Sequence, residues 1–214
     1  MIQLYGYWRS TAAYRVRIAL ALKNVPYQNH SVHLIKDGGE QHSEAYQQLN
    51  PHQLVPTLVE DGMAISQSMA IIEYLDDKFP DYRLIFGTPQ QRAQMRAMAL
   101  AIACDIHPLN NLRVLQYLKN SLGQEQLKVD EWYHHWIHQG FNAIEKQLKQ
   151  SAGKYCFGDE VSIADVFLIP QVYNATRFNV NIHQYPNIIR VHDNCLKLEE
   201  FQNAAPENQP DAVH

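Results

Sequence analysis

Cysteine is scarce in this chain: Cys104, Cys156 and Cys195 are the only three in 214 residues. Odd in number and far apart, they exclude a disulfide framework and a CxxC metal or redox site. They suit a reducing, cytoplasmic setting. An excess of charge of one sign is also missing. Eighteen Lys and Arg face 22 Asp and Glu, for a formal net charge of -4. That excludes a global pull on nucleic acid or on an anionic membrane, so any anion site must be local. No apolar run is long enough to span a bilayer. The start, "MIQLYGYWRS", lacks a basic stretch followed by a long apolar one, so no signal peptide is expected. There are no repeats and no low-complexity tracts. What is present is an ordinary globular balance, 46% apolar and 19% charged. The length holds one large domain or two small ones.

The pattern along the chain favours two. "MIQLYGYW" reads as a strand, and Thr11 to Lys23 has helical apolar spacing. "YQNHSVHLI" is a second strand candidate, and "GEQHSEAYQQLN" a short helix ended by Asn50-Pro51. In "VPTLVEDGMAIS" two β-prone runs flank Asp61-Gly62, a hairpin signal. "QSMAIIEYLDDKFP" is an amphipathic helix closed by Pro80. The order β-α-β-α-β-β-α is that of a thioredoxin-like α/β domain. A proline heading a central strand is awkward, and a cis Val55-Pro56 bond accounts for its place. After "PDYRLIFGTPQ" strand signals vanish. The expected domains are therefore 1–82, thioredoxin-like, and 87–214, all-helical. The second holds a long helix from Pro89 to Lys119 interrupted at Pro108, and another over "VDEWYHHWIHQGFNAIEKQLKQ". A third is opened by a Ser162/Asp165 capping box, and a last one runs over "YPNIIRVHDNCLKLEEF". The polar tail from Ala205 is expected to fray.

Several residues invite a functional reading beside a plain one. Ser10 and Thr11 open the first helix; either Ser10 is simply an N-cap, or the helix end holds an anion. A thiolate there, bonded by a hydroxyl, would have a lowered pKa. No cysteine of the chain lies there, so the thiol would come from a bound ligand. Gln67-Ser68, again a helix start, is either a cap or a carboxylate site. A cis Val55-Pro56 leaves Val55 backbone open to an extended peptide. Arg9 and Arg177 are either solvated or clamps on substrate carboxylates. Asp105, His107, Asn110 and Asn111 cluster at the Pro108 kink, as residues lining a cleft do. His134, His135 and His138 have helical spacing but no third ligand, so a packed or solvated face is expected, and no metal.

The segments "STAAYRVRIAL", "NPHQLVPTL", "SQSMAIIEYL", "CDIHPLNNLRVL", "GDEVSIADVFLIPQV" and "ATRFNV" occur in order along nearly the whole chain. In them the chain resembles the zeta-class glutathione transferases, whose motif reads Ser-Ser-Cys-x-Trp-Arg-Val-Arg-Ile-Ala-Leu. The resemblance implies a glutathione transferase fold, a homodimer and glutathione as cofactor. It puts Ser10 and Thr11 at the glutathione sulfur, Val55 and Pro56 at its cysteinyl backbone, and Gln67 and Ser68 at its γ-glutamyl carboxylate. Gln41, His107 and Asn111 fall on further glutathione-contact positions, and Arg9 and Arg177 on arginines that hold substrate carboxylates. Ala12 departs from the family Cys, which leaves Ser10, Thr11 and the helix end to activate the sulfur.

The implied activity is cis-trans isomerisation of maleylacetoacetate or the close analogue maleylpyruvate. The thiolate adds to the double bond, the resulting single bond rotates with the charge held as an enolate, and collapse expels the thiolate. A general zeta-type transferase or α-haloacid dehalogenase is the alternative. A non-catalytic binding protein of the same fold is a third reading, and it leaves Ser10, Gln67-Ser68 and both arginines without a purpose.

Overall fold

Alternation in "IQLYG" turns Ile2 and Leu4 to one face, and both are buried. The computed structural model describes residues 1–213 and makes this segment strand β1 (Ile2–Gly6). It lies inside a four-stranded sheet of order β2-β1-β3-β4, with β2 at Tyr27–Ser31, β3 at Thr57–Glu60 and β4 at Met63–Ser66. β1 and β2 are parallel; β3 runs antiparallel to both β1 and β4. A parallel pair needs a crossover, here helix α1 (Thr11–Leu22). The β3–β4 turn places Asp61 and Gly62 at φ 49° and 81°, as a primed hairpin requires. Helices α2 (Glu44–Leu49, capped by Ser43) and α3 (Ser68–Lys78) complete the expected thioredoxin-like order. The Val55-Pro56 bond is cis. α1 is buried almost all round, its arginines included: Arg15 is 2% exposed and Arg17 3%.

The second unit is helical. α4 (Pro89–Leu100) opens with a Thr88/Gln91 capping box that the sequence reading passed over. The expected long helix does not continue to Lys119. Pro108 lacks an N–H and its ring crowds the preceding turn, and the chain answers with more than a kink. It widens into a π turn over Ala101–Ile106, tightens into a 3-10 turn over His107–Asn110, and resumes as α5 (Leu112–Gln116) before a second π turn at Tyr117–Ser121. α6 (Gln126–Ser151) buries Val129, Tyr133, Ile137, Phe141, Ile144 and Leu148 at helical spacing. A Cβ on its Gly140 would collide with the Ile106 side chain, so α6 meets the π turn at backbone distance. α7 (Ile163–Arg177) starts at the foreseen Ser162/Asp165 pair: Ser162 N and Oγ both donate to Asp165 Oδ2 at 2.8 Å. The other carboxylate oxygen accepts from Cys156 N at 2.8 Å. Burial pushes the Asp165 carboxyl above its ordinary range in spite of these bonds.

The last predicted helix is two, α8 (Pro186–Cys195) and α9 (Glu199–Asn203). Leu196 onward packs with the first unit, Met1–Leu84, whereas Ile85–Cys195 forms the second. The expected division, 1–82 against 87–214, differs from this at its C-terminal end. The tail is also tied down rather than frayed. Tyr14 Oη donates to Phe201 O at 3.0 Å and Arg17 Nε to Ala204 O at 2.9 Å. Asp211 Oδ2 accepts from Trp8 N at 3.2 Å and from Ser31 Oγ at 2.8 Å.

At the exit from the first unit, Lys23 Nζ meets Asp76 Oδ1 at 2.8 Å with both side chains nearly inaccessible, 0% and 4% exposed. The ammonium also donates to Phe79 O and Tyr82 O, and Asp76 Oδ1 accepts from Leu84 N. Removing one partner of such a pair strands the other charge. Lys23→Met should therefore lower unfolding free energy by about 3–5 kcal/mol in urea titrations. A loss under about 1 kcal/mol would mean the pair is far better solvated than its burial implies.

Candidate functional site

The first unit carries eight of the predicted residues: Arg9, Ser10, Thr11, Gln67 and Ser68 at the starts of α1 and α3, Val55 and Pro56 just before β3, and Gln41 in a 3-10 turn over Glu40–His42. α1 begins where Ser10, in extended conformation, accepts from Ala13 N at 3.2 Å through Oγ. The plain N-cap reading is thus correct as far as it goes. It leaves the hydroxyl proton uncommitted, because capping uses a lone pair of the oxygen. Ser10 is half-buried and Thr11 is 2% exposed, so Ser10 is the more open hydroxyl. The first turn's N–H groups have no intrahelical acceptor, which makes this end an electropositive ledge. Beside it the Arg9 guanidinium lies 5.2 Å from the Trp8 ring centroid and 5.9 Å from that of Tyr7. Those rings hold the side chain without neutralising it.

α3 starts in a strained way. Gln67, its N-cap, has φ 73° and ψ 117° and makes no capping bond of its own. Ser68 is buried, and its Oγ accepts from Arg15 Nη1 at 3.3 Å. That contact joins the two helix starts through a buried guanidinium. The Val55-Pro56 turn is held through Leu54, whose carbonyl accepts from Tyr46 Oη at 2.6 Å and Asn50 Nδ2 at 2.8 Å. Gln41 is 8% exposed; its Nε2 donates to Leu34 O at 3.3 Å, while its Oε1 is buried without a hydrogen-bond partner. Gly39, at φ 105°, lets that side chain fold against the backbone, where a Cβ would meet Gln41 Oε1 at 2.6 Å.

The second unit carries the other three. Asn111 caps α5, its Oδ1 accepting from Arg113 N at 3.2 Å, which leaves its amide N–H groups as donors. His107 begins the 3-10 turn and is half-buried. Arg177 ends α7, exposed, with its guanidinium 4.7 Å from the Phe178 ring centroid. Not all of the polar cluster at Pro108 lines a cleft. Asn110 is buried and its Nδ2 donates to Tyr133 O at 3.1 Å, while Asp105 is exposed. Two histidines of α6 are engaged with backbone and phenol, His134 with Phe178 O and His138 with Tyr185 Oη, while His135 packs edge-on against the Trp136 ring. All three cysteines are free. Burial pushes the Cys156 and Cys195 thiols up, so neither is an activated thiol.

Sequence reasoning missed Arg15 and the geometry of Gln67. An arginine inside the apolar run "YRVRIAL" was the available signal, since a buried arginine must be bonded. A positive φ on glutamine leaves no such trace.

Residues 4–83 match the family model of the glutathione S-transferase N-terminal domain, and residues 137–194 that of the glutathione S-transferase C-terminal domain. The chain belongs to the glutathione S-transferase family. A probable maleylacetoacetate isomerase of Vibrio cholerae is 50% identical to this chain over 209 residues, 98% of this chain and 97% of that one. A solved holo maleyl pyruvate isomerase, described as a bacterial glutathione S-transferase of the zeta class, is 42% identical with TM-score 0.95, covering 99% and 100% of the two chains. A maleylacetoacetate isomerase from Methylobacterium extorquens AM1, solved with bound malonate and GSH, is 35% identical with TM-score 0.94, over 99% and 100%.

The strain at the start of α3 is open to test. A non-glycine residue at such a φ costs about 1–3 kcal/mol. Gln67→Gly relieves it and Gln67→Ala does not, so the glycine variant should be the more stable by about 1 kcal/mol in thermal or chemical unfolding. An alanine variant of equal or greater stability would contradict the assigned backbone.

Proposed function

We propose that this member of the glutathione S-transferase family is a glutathione-dependent cis-trans isomerase acting on maleylacetoacetate, or on its close analogue maleylpyruvate. The observation that carries the reading is the start of α1. A serine hydroxyl stands on an electropositive helix end, and neither buried cysteine is an activated thiol. The relatives named above, 35–50% identical over nearly the whole chain, support the reaction class and the cofactor.

The residues suit glutathione. A buried, unpartnered Gln41 Oε1 is an acceptor waiting for an N–H. Gln67 and Ser68 would hold the γ-glutamyl carboxylate at the start of α3; Ser68 Oγ accepts from Arg15 and so keeps its own proton to donate. Val55, beside the cis proline, would pair with the cysteinyl backbone. His107 and Asn111 are assigned by resemblance, the Asn111 amide donors being uncommitted to its cap. Glutathione, when bound, supplies a thiolate that adds reversibly to the conjugated double bond and is not consumed. Ser10 would donate its hydroxyl proton toward the sulfur while its oxygen still caps α1, and the helix end favours the anion. Thr11 is the second hydroxyl, more deeply buried. Ala12 adds no thiol, so the whole lowering of the sulfur pKa falls to these groups. Arg9 and Arg177 would grip carboxylates, each stacked on an aromatic ring that limits its rotamers. Holding the substrate's ends while its middle turns is what an isomerase of this kind requires.

Maleylacetoacetate is preferred as substrate because two of the three relatives named above are maleylacetoacetate isomerases by name. The corresponding setting is the breakdown of aromatic amino acids, by a cytoplasmic homodimer. The test follows the ultraviolet absorbance of enzymatically generated maleylacetoacetate and maleylpyruvate, with and without glutathione. Conversion to the fumaryl isomer should need glutathione yet leave its concentration unchanged. Stoichiometric loss of glutathione, or turnover only of α-haloacids, would replace this reading with a transferase or dehalogenase.

A further inference from the structure

We infer that His134 is a positioning residue for Arg177, acting through Phe178; the inference rests on the proposed role of Arg177 as a grip on a substrate carboxylate. The link is continuous within the second unit. His134 Nε2 lies 2.8 Å from Phe178 O, so that nitrogen carries the proton and donates to the carbonyl. Phe178 is the C-cap of α7, immediately after Arg177, and carbonyls at a helix end have no intrahelical donor. The Phe178 ring stacks on Tyr133, with centroids 3.9 Å apart and planes 19° from parallel. The Arg177 guanidinium carbon is 4.7 Å from the centroid of that same ring. Backbone and side chain of one residue are thus pinned by consecutive residues of α6, and the arginine rests on what they pin.

Three further contacts extend the frame. Four residues on, His138 Nδ1 meets Tyr185 Oη at 2.7 Å, so the loop from Phe178 to Tyr185 is held at both ends by α6. Trp132 Nε1 donates to Leu109 O at 2.8 Å, and Asn110 Nδ2 to Tyr133 O at 3.1 Å. The same turn of α6 therefore also fixes the 3-10 turn that carries His107. An arginine on an exposed helix end is ordinarily spread over many rotamers, and ordering it on binding costs affinity. Holding it in advance removes part of that cost from the substrate it meets.

The test compares His134→Ala, His134→Gln and Arg177→Ala by isomerase kinetics and by glutathione titration. His134→Ala should raise KM for the maleyl substrate about tenfold with kcat changed little, a loss of about 1.4 kcal/mol in binding. Glutathione affinity should stay near that of the parent. His134→Gln, whose amide N–H can reach the same carbonyl, should recover most of the KM. In an Arg177→Ala background, His134→Ala should add nothing. A parent-like KM in His134→Ala beside a raised KM in Arg177→Ala overturns this inference alone. An unchanged KM in Arg177→Ala overturns the reading beneath it as well. Equal losses in KM and in glutathione binding would mark His134 as merely structural and overturn the inference. Should His134→Ala fail to fold, Phe178→Leu takes its place: it keeps apolar bulk, loses the stack, and should raise KM in the same selective way, and a parent-like KM there counts against the inference.

Discussion

Everything in the first unit depends on where α1 begins. A helix end is useful for holding an anion only if it cannot drift, and α1 is fixed by side chains of its own sequence. Arg15 reaches Ser68 at the start of α3, Arg17 reaches Trp8 O and Ala204 O, and Tyr14 reaches Phe201 O. The segment "YRVR" is therefore a set of ties to three other parts of the chain, which explains why two arginines sit buried inside an apolar helix. Each of these bonds is charge-assisted or fully buried, the class that is costly to break. The consequence is a Ser10 cap and an Arg9 side chain held at a defined place by groups that take no part in the chemistry.

The second unit solves the same problem differently. Its proposed residues sit at irregular points: a π-to-3-10 transition, a helix cap and a helix terminus. Such points lack the regular ladder that would otherwise hold them. The long α6 takes over that task, with Trp132 and Tyr133 bonded to the 3-10 turn and His134 and His138 to the segment that follows α7. A regular helix with aromatic and imidazole side chains is a rigid scaffold for backbone that cannot order itself.

Most of the fold was legible because it rests on local rules. The Asp61-Gly62 hairpin, the Ser162 helix start, the cis Val55-Pro56 bond and the thioredoxin-like order all follow from residue chemistry within a few positions. What escaped was non-local. The tail from Ala205 has a polar, frayed composition, yet Asp211 bonds Trp8 across nearly the whole chain. The Pro108 interruption was visible, but the π turn that answers it depends on Gly140, which lets α6 approach Ile106. Of the site, Ser10, Gln67 and Ser68 were legible as helix starts. The left-handed backbone of Gln67 and the Arg15–Ser68 tie were not, since both arise from packing between elements far apart in sequence.

The proposed chemistry depends on a thiolate stabilised at the start of α1. The direct measurement is the pKa of the enzyme-bound glutathione thiol, read from thiolate absorbance as pH is varied, in the parent and in Ser10→Ala. An ordinary thiol titrates near about 8.5. The bound thiol should titrate at least about one unit lower, and Ser10→Ala should return most of that shift while glutathione still binds. A bound thiol with an ordinary pKa, or one unmoved by the loss of the Ser10 hydroxyl, would contradict the central claim.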